Sequence, residues 1–147
     1  MKIALGTDHA GFQFKERVKA ILIAMGHDPL DFGCFSEAAV DYPDFILPAA
    51  AAVASGRCER GFVFGGSGNG EAMAANKIRG VRCGLGWTRE SVRLTRAHND
   101  ANVLSLGARL VDPGELEPLV RLFLETAFEE GRHAVRLAKI DGLGSVV

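Results

Sequence analysis

The chain has 147 residues, of which 48% are hydrophobic and 24% charged, and its net charge is −1. This composition is typical of a folded globular protein, and the length predicts one domain over residues 1–147. With 17 basic and 18 acidic residues, the chain lacks the excess of positive charge that favours nucleic-acid binding. The three cysteines form no CxxC pair, which argues against a zinc site or a disulfide framework and indicates reduced thiols in a cytoplasm.

No apolar run predicts a membrane partner. The longest, residues 45–54, is interrupted by Pro48 and is far shorter than the roughly 18 residues that a membrane span needs. The apolar stretch at residues 3–5 is too short for the core of a signal peptide. The sequence therefore predicts a cytoplasmic protein.

Stretches that fit buried strands alternate with stretches that fit amphipathic helices. The predicted strands are 2–6, 27–32, 61–64, 81–86 and 102–107. The predicted helices are 11–25, an alanine-rich segment from 43 to 55, 71–77, 88–97, a segment from 112 to near Gly131, and a short amphipathic stretch at 133–140. Asp41 and Asp112 are expected to cap the helices that begin after them, and Pro48 should kink or split its helix.

Strands that alternate with helices indicate a mainly parallel sheet, because each crossover places a helix against the sheet. The predicted fold class is therefore α/β, with a doubly wound sheet of about five strands and helices on both faces. Ligands of such folds bind beyond the carboxyl ends of the strands. The segments expected there are 6–10, 33–42, 65–71, Trp87 and 107–109.

A glycine-rich turn with one carboxylate follows the third predicted strand. It reads Gly65-Gly66-Ser67-Gly68-Asn69-Gly70-Glu71, and Glu71 is its only ionisable side chain. Four glycines let the backbone approach a ligand closely, and N–H groups at a helix start can converge on an anion. The turn is typical of an active site. A capping turn without a ligand is the alternative, although four glycines exceed what capping requires.

Two familiar motifs come close to this turn and fail. Gly66, Gly68 and Gly70 give GxGxG after the third strand, whereas a dinucleotide fingerprint needs GxGxxG after the first, so NAD is discounted. A nucleophile elbow needs GxSxG, and Asn69 stands at its last position. A serine hydrolase with Ser67 as nucleophile and His98 as base is a weak alternative.

Other polar residues each have a structural alternative. Asp8 could cap the first helix with His9 over its first turn, but their place at the sheet edge favours proton transfer or anion binding. His98 is either a cation favoured by the end of its helix or a general acid or base, and nothing local decides. Arg132 and Arg136, at i and i+4, are either solvated charges or a clamp for one phosphate.

Collinear motifs along nearly the whole chain resemble the ribose-5-phosphate isomerase B family, which includes the galactose-6-phosphate isomerase subunits. The motifs are Gly6-Thr7-Asp8-His9-Ala10-Gly11-Phe12, Asp41-Tyr42-Pro43, the turn 65–71, Ala74-Ala75-Asn76-Lys77, Arg96-Ala97-His98-Asn99-Asp100-Ala101-Asn102, Gly107-Ala108-Arg109 and Gly131-Arg132-His133. The resemblance implies a Rossmann-like homodimer, sometimes a dimer of dimers, whose active sites draw on both subunits. It implies no metal and no organic cofactor.

The family has two catalytic variants, and this chain resembles the second. One uses a cysteine at the position of Gly65 as the base, and the other has a glutamate at the position of Glu71. The resemblance therefore assigns to Glu71 the proton transfer between C2 and C1 of an open-chain sugar phosphate, through an enediolate. The helix start should favour the ionised form of Glu71, and the N–H groups of residues 67–70 with the Ser67 hydroxyl are candidates for an oxyanion hole.

The resemblance also implies roles for the remaining candidates. Asp8 and His98 are the candidates for opening the sugar ring, and which of them does so is unresolved. Asn99 would contact sugar hydroxyls, and Tyr42 would line the sugar pocket. The other residues expected to bind the sugar phosphate are the turn residues Gly66, Gly68, Asn69 and Gly70 and the phosphate ligands His9, Arg109, Arg132 and Arg136, some of them from the partner subunit.

Ribose 5-phosphate is the expected substrate and ribulose 5-phosphate the expected product. The sequence does not fix the sugar, because tetrose, pentose and hexose phosphates differ by one carbon each and discrimination depends on pocket depth, which residues 34–40 could set. An isomerase of a tetrose or tetrulose phosphate or of a hexose 6-phosphate, and a non-catalytic sugar-phosphate sensor, are the alternatives. The presence of Glu71 argues against the sensor.

Overall fold

The computed structural model describes residues 1–142, so residues 143–147 of the predicted domain lie outside the described part. The strands are β1 (Lys2–Thr7), β2 (Asp28–Asp31), β3 (Arg60–Gly65), β4 (Cys83–Leu85) and β5 (Val103–Gly107). The α-helices are α1 (Phe12–Ala24), α2 (Pro43–Ala54), α3 (Asn69–Ala75), α4 (Arg89–Ala97), α5 (Leu116–Glu125) and α6 (Arg132–Asp141), and a 3-10 turn covers Pro113–Glu115. The elements follow the predicted order along the chain.

The strands form one sheet in the order β2-β1-β3-β5-β4, and every pairing is parallel. The register places Thr7 beside Phe64 and Gly65 beside Gly107. The carboxyl ends of β1, β3 and β5 therefore meet at one edge of the sheet, where a ligand of a doubly wound fold is expected. The predicted α/β class with about five mainly parallel strands is confirmed.

Each face of the sheet carries its own apolar core. Leu5, Phe62 and Leu104 face a cluster that also contains buried side chains of α1, α4 and α5. Their chain neighbours Ala4 and Val63 face the opposite cluster, which contains residues of α2 and α3. This alternation follows from the two-residue period of a strand, and it confirms helices on both faces.

α2 departs from two expectations. Of the kink or split predicted at Pro48, the split does not occur, because Pro48 lies only five residues after the first helical residue and removes a single i to i−4 hydrogen bond. Asp41 does not cap the helix with its side chain, since no side-chain cap is present and the Asp44 N–H donates to the backbone carbonyl of Asp41 at 3.3 Å. Pro43 at the first helical position is as predicted.

The helix predicted to end near Gly131 ends earlier. Its start is a 3-10 turn at Pro113–Glu115, where the Asp112 carboxylate accepts from the Gly114 N–H at 2.7 Å, so the predicted cap is present. The chain leaves α5 at Thr126, which is extended. Beyond it, the Glu129 N–H donates to the Ala97 carbonyl at 2.9 Å, and this bond holds the segment against the end of α4.

None of the helices within residues 1–142 combines the length and the apolar character that a membrane span requires. The longest, α1, has 13 residues, whereas a span needs about 20.

Leu104 gives a test of the larger core. Its side chain is fully buried between β3 and β4 on the face of α1, α4 and α5. Leu104→Ala is expected to lower the free energy of unfolding by about 2–5 kcal/mol, because the variant buries less apolar surface and also leaves a cavity in the core. Urea unfolding measures it, with Ile23→Ala as the control, since Ile23 is 58% exposed on α1. Equal losses in the two variants would contradict this packing.

Candidate active site

The glycine-rich turn lies at the carboxyl end of β3 and is tied to the end of β5. The N–H groups of Ala108 and Arg109 donate to the carbonyls of Gly65 and Gly66 at 2.8 and 2.9 Å. Gly68 has a φ of 82° and precedes the first residue of α3. Positive φ is readily adopted only by glycine, so this residue lets the chain turn sharply from strand into helix. The turn is thereby fixed on the sheet edge predicted to bind a ligand.

The carboxyl group of Glu71 lies against Gly65. The residue is only 4% exposed. A Cβ atom placed on Gly65 would overlap the Glu71 carboxyl group, and one carboxyl oxygen would be 2.7 Å away. Position 65 therefore requires glycine, because the Glu71 carboxyl group fills the space that any other side chain would need.

Burial raises the pKa of Glu71 above its ordinary value, and the nearby charge of Asp8 raises it further. The backbone N–H groups of Glu71 itself and of Gly68 act in the opposite direction, because their positive ends favour the ionised carboxylate. The sequence predicts that the helix start favours the ionised form of Glu71, but the net shift favours the protonated form. Burial outweighs the effect of the backbone amides. A carboxylate with a raised pKa is better suited to act as a base near neutral pH.

Asp8 has both the structural role and the position that the sequence allowed. One carboxyl oxygen, Oδ1, accepts from the N–H groups of Ala10 and Gly11 at 3.0 and 3.1 Å, which caps the start of α1. The residue is 9% exposed, and its charge acts on Glu71. Asp8 and Glu71 are therefore close neighbours at the ends of β1 and β3.

Tyr42 and Arg109 cover the turn from two sides. A Cβ atom on Gly70 would lie 2.8 Å from Cζ and 2.9 Å from the hydroxyl oxygen of Tyr42. A Cβ atom on Gly66 would lie 3.0 Å from a terminal nitrogen of the Arg109 guanidinium. Both glycines therefore allow a polar side chain to lie directly on the backbone. The structure brings Tyr42 and Arg109 to the turn, as the sequence predicted.

His9 joins the same edge through the loop between β2 and α2. Its Nδ1 accepts from the Val40 N–H at 3.3 Å. The start of that loop is anchored by Asp31, which binds the Gly33 N–H at 2.9 Å and Lys15 at 2.6 Å. Burial alone would raise the pKa of Asp31, but the hydrogen bonds from Lys15, Lys19 and the Gly33 N–H hold this pKa below its ordinary value. This buried ion pair fixes one end of the loop that carries Tyr42 toward the site.

Backbone donors are available beside Glu71. The Asn69 N–H donates to the Ser67 hydroxyl at 3.2 Å, so that hydroxyl keeps its own proton for another acceptor. Within residues 1–142, the N–H groups of Ser67 and Gly70 have no acceptor. Unsatisfied N–H groups at a helix start are suited to hold an anion.

A second group of predicted residues lies at the other end of the sheet. His98 directly follows the last residue of α4, and the Asn99 carbonyl accepts from Arg82, immediately before β4, at 3.0 Å. The carboxyl ends are about 13 Å away along β5, four residue steps of roughly 3.3 Å from Val103 to Gly107. Arg132 lies beside His98 because the next residue, His133, stacks on the His98 ring. Within one chain, these residues do not join Glu71.

His98, Glu129 and His133 form a compact cluster. The Nε2 atoms of His98 and His133 lie 3.5 and 3.8 Å from the same carboxylate oxygen of Glu129. One nitrogen or oxygen atom from each of the three residues lies within 4.8 Å of the other two. The two rings are stacked, with centroids 4.2 Å apart and an angle of 9° between planes. An imidazole binds a metal ion in the plane of its ring, so two stacked rings do not point at one ion. The expectation of no metal stays a prediction.

Arg132 and Arg136 are both exposed on α6, as their spacing predicted. Burial lowers the pKa of His133, and the charges of His98, Arg132 and Arg136 lower it further. Beside the cluster, α6 therefore presents the two solvated guanidinium groups of Arg132 and Arg136 next to the neutral ring of His133.

Sequence reasoning missed Glu129 as the partner of His98, and no local pattern connects the two residues. It also missed Ser105, which interrupts an apolar strand and whose hydroxyl donates to the turn.

A match to the family described as Ribose/Galactose Isomerase extends over residues 3–140. The chain belongs to this family. It is 42% identical over 139 residues to the ribose-5-phosphate isomerase B of Mycolicibacterium paratuberculosis, an alignment that covers 93% of this chain and 87% of that protein. The resemblance inferred from the sequence motifs is therefore confirmed, and the chain is an isomerase.

Solved structures of the family share the fold. The chain is 41% identical to Clostridium thermocellum ribose-5-phosphate isomerase B, with a TM-score of 0.97 over 99% of both chains. It is 34% identical to ribose-5-phosphate isomerase B of Mycoplasma genitalium with bound ribulose-5-phosphate, with a TM-score of 0.94 over 99% of this chain and 97% of that one. The predicted Rossmann-like fold is thereby confirmed.

The raised pKa of Glu71 predicts a pH-dependent stability. The folded chain holds the Glu71 proton more tightly than the unfolded chain, so stability is present below the ordinary pKa of 4.5 and is lost as pH rises through the raised value. Glu71→Gln has no charge to bury. It should be more stable than the wild type at neutral pH and lose that advantage below pH 4.5. Urea midpoints at both pH values measure it, and Glu125→Gln, at an exposed position, should show no such change.

Proposed function

We propose that this isomerase interconverts ribose 5-phosphate and ribulose 5-phosphate, with Glu71 as the base that moves the proton. The observation that carries the proposal is the position of the Glu71 carboxyl group, buried at the sheet edge in the space beside Gly65. The names of the relatives support the substrate, since several of them are ribose-5-phosphate isomerases B and one solved structure holds ribulose-5-phosphate.

The place of Glu71 supports its role as the base. The family resemblance gives two alternative bases, a cysteine at position 65 or a glutamate at position 71. Because a side chain at position 65 would overlap the Glu71 carboxyl group, the two alternatives would occupy the same space. A cysteine at position 65 and a glutamate at position 71 would therefore place the proton-accepting atom at nearly the same position relative to the substrate. The cysteines of this chain are at 34, 58 and 83, outside the turn.

Isomerisation requires one proton to move between neighbouring carbons. Ionised Glu71 takes the proton from C2 of the open-chain aldose, and the electron pair of the C–H bond forms the C1–C2 double bond of an enediolate. The protonated carboxyl group then returns the proton to C1 and leaves the ketose. The hydroxyl proton moves between O1 and O2, so no other reagent is consumed. A positioned base typically contributes about 10² to 10⁴-fold to such a step.

The turn supplies donors for the negative charge of the enediolate. The free N–H groups of Ser67 and Gly70 and the hydroxyl of Ser67 are at the start of α3, next to Glu71. Asn69 gives its N–H to Ser67 and serves to orient that hydroxyl. Losing a single oxyanion donor costs an enzyme on the order of 10² to 10³-fold in kcat.

The complete site is assigned to a homodimer. Asp8, His9, Tyr42, Arg109 and the turn form one half, whereas His98, Asn99, Arg132 and Arg136 lie at the opposite end of the sheet in the same chain. A two-fold arrangement that places the second half of one chain at the first half of the other would complete two identical sites. Arg132 and Arg136 would then bind the phosphate with Arg109 and His9, and His98 or Asp8 would open the ring. A dimer of dimers keeps the same pairing.

Glu71→Gln tests the base. The substitution keeps the shape of the side chain and removes its ability to accept a proton, so kcat on ribose 5-phosphate should fall by about 10² to 10⁴-fold while KM changes little. Turnover on tetrose, pentose and hexose phosphates, without added metal, is the measurement. Glu125→Gln is the matched control and should keep full activity.

The double variant Gly65→Cys with Glu71→Ala sharpens this test. It empties the space of the carboxyl group and places a thiol there, so part of the activity lost in Glu71→Ala should return. Near-normal turnover by Glu71→Gln would exclude the proposed base. Turnover of a tetrose or hexose phosphate in place of ribose 5-phosphate would correct the substrate and keep the mechanism.

Complementation tests the shared site. Glu71→Gln removes the first half of the site and Arg132→Ala the second, so each homodimer should be inactive or nearly so. When the two variants are unfolded and refolded together, half of the dimers are mixed and each mixed dimer has one intact site. About a quarter of the wild-type activity should therefore return. A mixture no more active than the separate variants would show that each site belongs to a single chain.

A further inference from the structure

Ser105 is a buried hydroxyl without a role in the proposed chemistry. It lies in β5 with an exposed fraction of 0%, and its neighbours Leu104 and Leu106 belong to the apolar core. A buried hydroxyl needs a hydrogen-bond partner, because losing water without one costs free energy. Its hydroxyl donates to the carbonyl of Gly68 at 2.7 Å. The side chain of a sheet residue is thus bound to the middle of the glycine-rich turn.

The Gly68 carbonyl does not need this bond to be satisfied. It already accepts from the Ala72 N–H at 3.0 Å as the first acceptor of α3. A second donor on the same oxygen fixes the orientation of the Gly68–Asn69 peptide plane. In a trans peptide the N–H points away from the C=O, so a fixed carbonyl also fixes the Asn69 N–H. That N–H is the one that binds the Ser67 hydroxyl at 3.2 Å.

The same residue also begins the helix that carries the base. The Gly68 carbonyl is the first acceptor of α3, and Glu71 lies in the first turn of that helix. Fixing this carbonyl therefore holds two groups at once, Glu71 through the first turn of α3 and the Ser67 hydroxyl through the Asn69 N–H. Gly68 has no side chain to hold it in place, and without a Cβ atom its backbone, here at a φ of 82°, has more conformational freedom than that of other residues.

The fit around Gly68 is close enough for the bond to act as an anchor. A Cβ atom on Gly68 would lie 3.0 Å from the Ser105 hydroxyl and 3.2 Å from the Gly107 nitrogen. A Cβ atom on Gly107 would lie 3.0 Å from the Ser67 Cα. The turn thus lies directly on β5, where Gly107 leaves room for it and Ser105 binds it.

We propose that Ser105 is a positioning residue for the isomerase reaction, whose hydroxyl anchors Gly68 so that the Glu71 carboxylate and the Ser67 hydroxyl keep their places in the site. This inference rests on the proposed function for its catalytic consequence. Small displacements of a base or a donor are costly, because the reacting atoms must be aligned closely. A rigid anchor on a central strand supplies that alignment to a turn made mostly of glycine.

Ser105→Ala removes the anchor and leaves the strand intact. We expect kcat on ribose 5-phosphate to fall about tenfold while KM changes by less than about twofold, because the loss is one of alignment in the transition state. Ser105→Thr keeps the hydroxyl and should recover most of the kcat. Val92→Ala is the control for a merely structural loss. Val92 is fully buried in α4, in the core on the face of the sheet opposite to α3, so its variant loses stability but should keep kcat.

The titration of Glu71 gives a readout that needs no turnover. Carbon NMR of the labelled carboxyl group in the substrate-free protein reports the Glu71 pKa directly. Asp8 is the other titratable group whose charge raises this pKa. Burial and the charge of Glu71 raise the pKa of the nearby Cys83 thiol to about 12, so that thiol stays neutral over the titration of Glu71. Ser105→Ala should raise the Glu71 pKa, because the Gly68 backbone, which lowers that pKa, is no longer held in place. Val92→Ala should leave it unchanged.

The outcomes separate the two proposals. A wild-type kcat together with a wild-type Glu71 pKa in Ser105→Ala would overturn the inference, and so would equal losses of kcat in Ser105→Ala and Val92→Ala. If the wild type isomerised no sugar phosphate, the proposed function would fail. A raised Glu71 pKa in Ser105→Ala would then still support the anchor, whereas an unchanged one would overturn it as well.

Discussion

The site depends on one steric constraint, the absence of side chains where β3 and β5 end side by side. Gly65 and Gly107 are paired in the sheet. A Cβ atom on Gly65 would overlap the Glu71 carboxyl group, and one on Gly107 would overlap the backbone of Ser67. With no Cβ at either position, the turn folds down onto the strand ends and carries Glu71 back over the strand that precedes it. Every proposed contact of the base follows from that fold of the chain.

The same constraint has an energetic consequence. The turn that brings Glu71 to the edge of the sheet also buries its carboxyl group, and burial opposes ionisation more strongly than the backbone amides of Glu71 and Gly68 favour it. The site therefore holds a group that destabilises the folded chain when it is charged. Active sites commonly contain such groups, because a base must be held ready to accept a proton rather than be fully neutralised by its surroundings. The core on both faces of the sheet offsets this cost.

The polar residues proposed to bind the substrate are divided between the two ends of the sheet. One end provides Glu71, the turn and Arg109, and the other provides His98 and two exposed arginines on α6. A doubly wound sheet separates its two ends by the length of its strands, so a single copy does not bring these groups together. In the proposed dimer, each end has a use only in the presence of the other chain.

The sequence alone determined the order of strands and helices, the parallel α/β class, the glycine-rich turn between strand and helix, and the family. These follow from local signals: apolar periodicity, glycine content and motif spacing, all of which are present within a few residues of each other. Local signals failed where a distant contact decided the outcome. The segment after Thr126 leaves its helix because Glu129 bonds to Ala97, and Asp41 is not a cap although its residue type fits one.

Only the tertiary structure decided the electrostatics and the grouping of the site. The position of Glu71 at a helix start predicts an ionised carboxylate, whereas the net pKa shift depends on how much water the surrounding strands exclude. The same holds for Ser105 and Gly68, which are far apart in sequence and meet because β5 lies beneath the turn. It holds also for His98, whose partner Glu129 arrives from a different segment. Burial and long-range contacts are properties of the folded chain, so residue type and spacing cannot specify them.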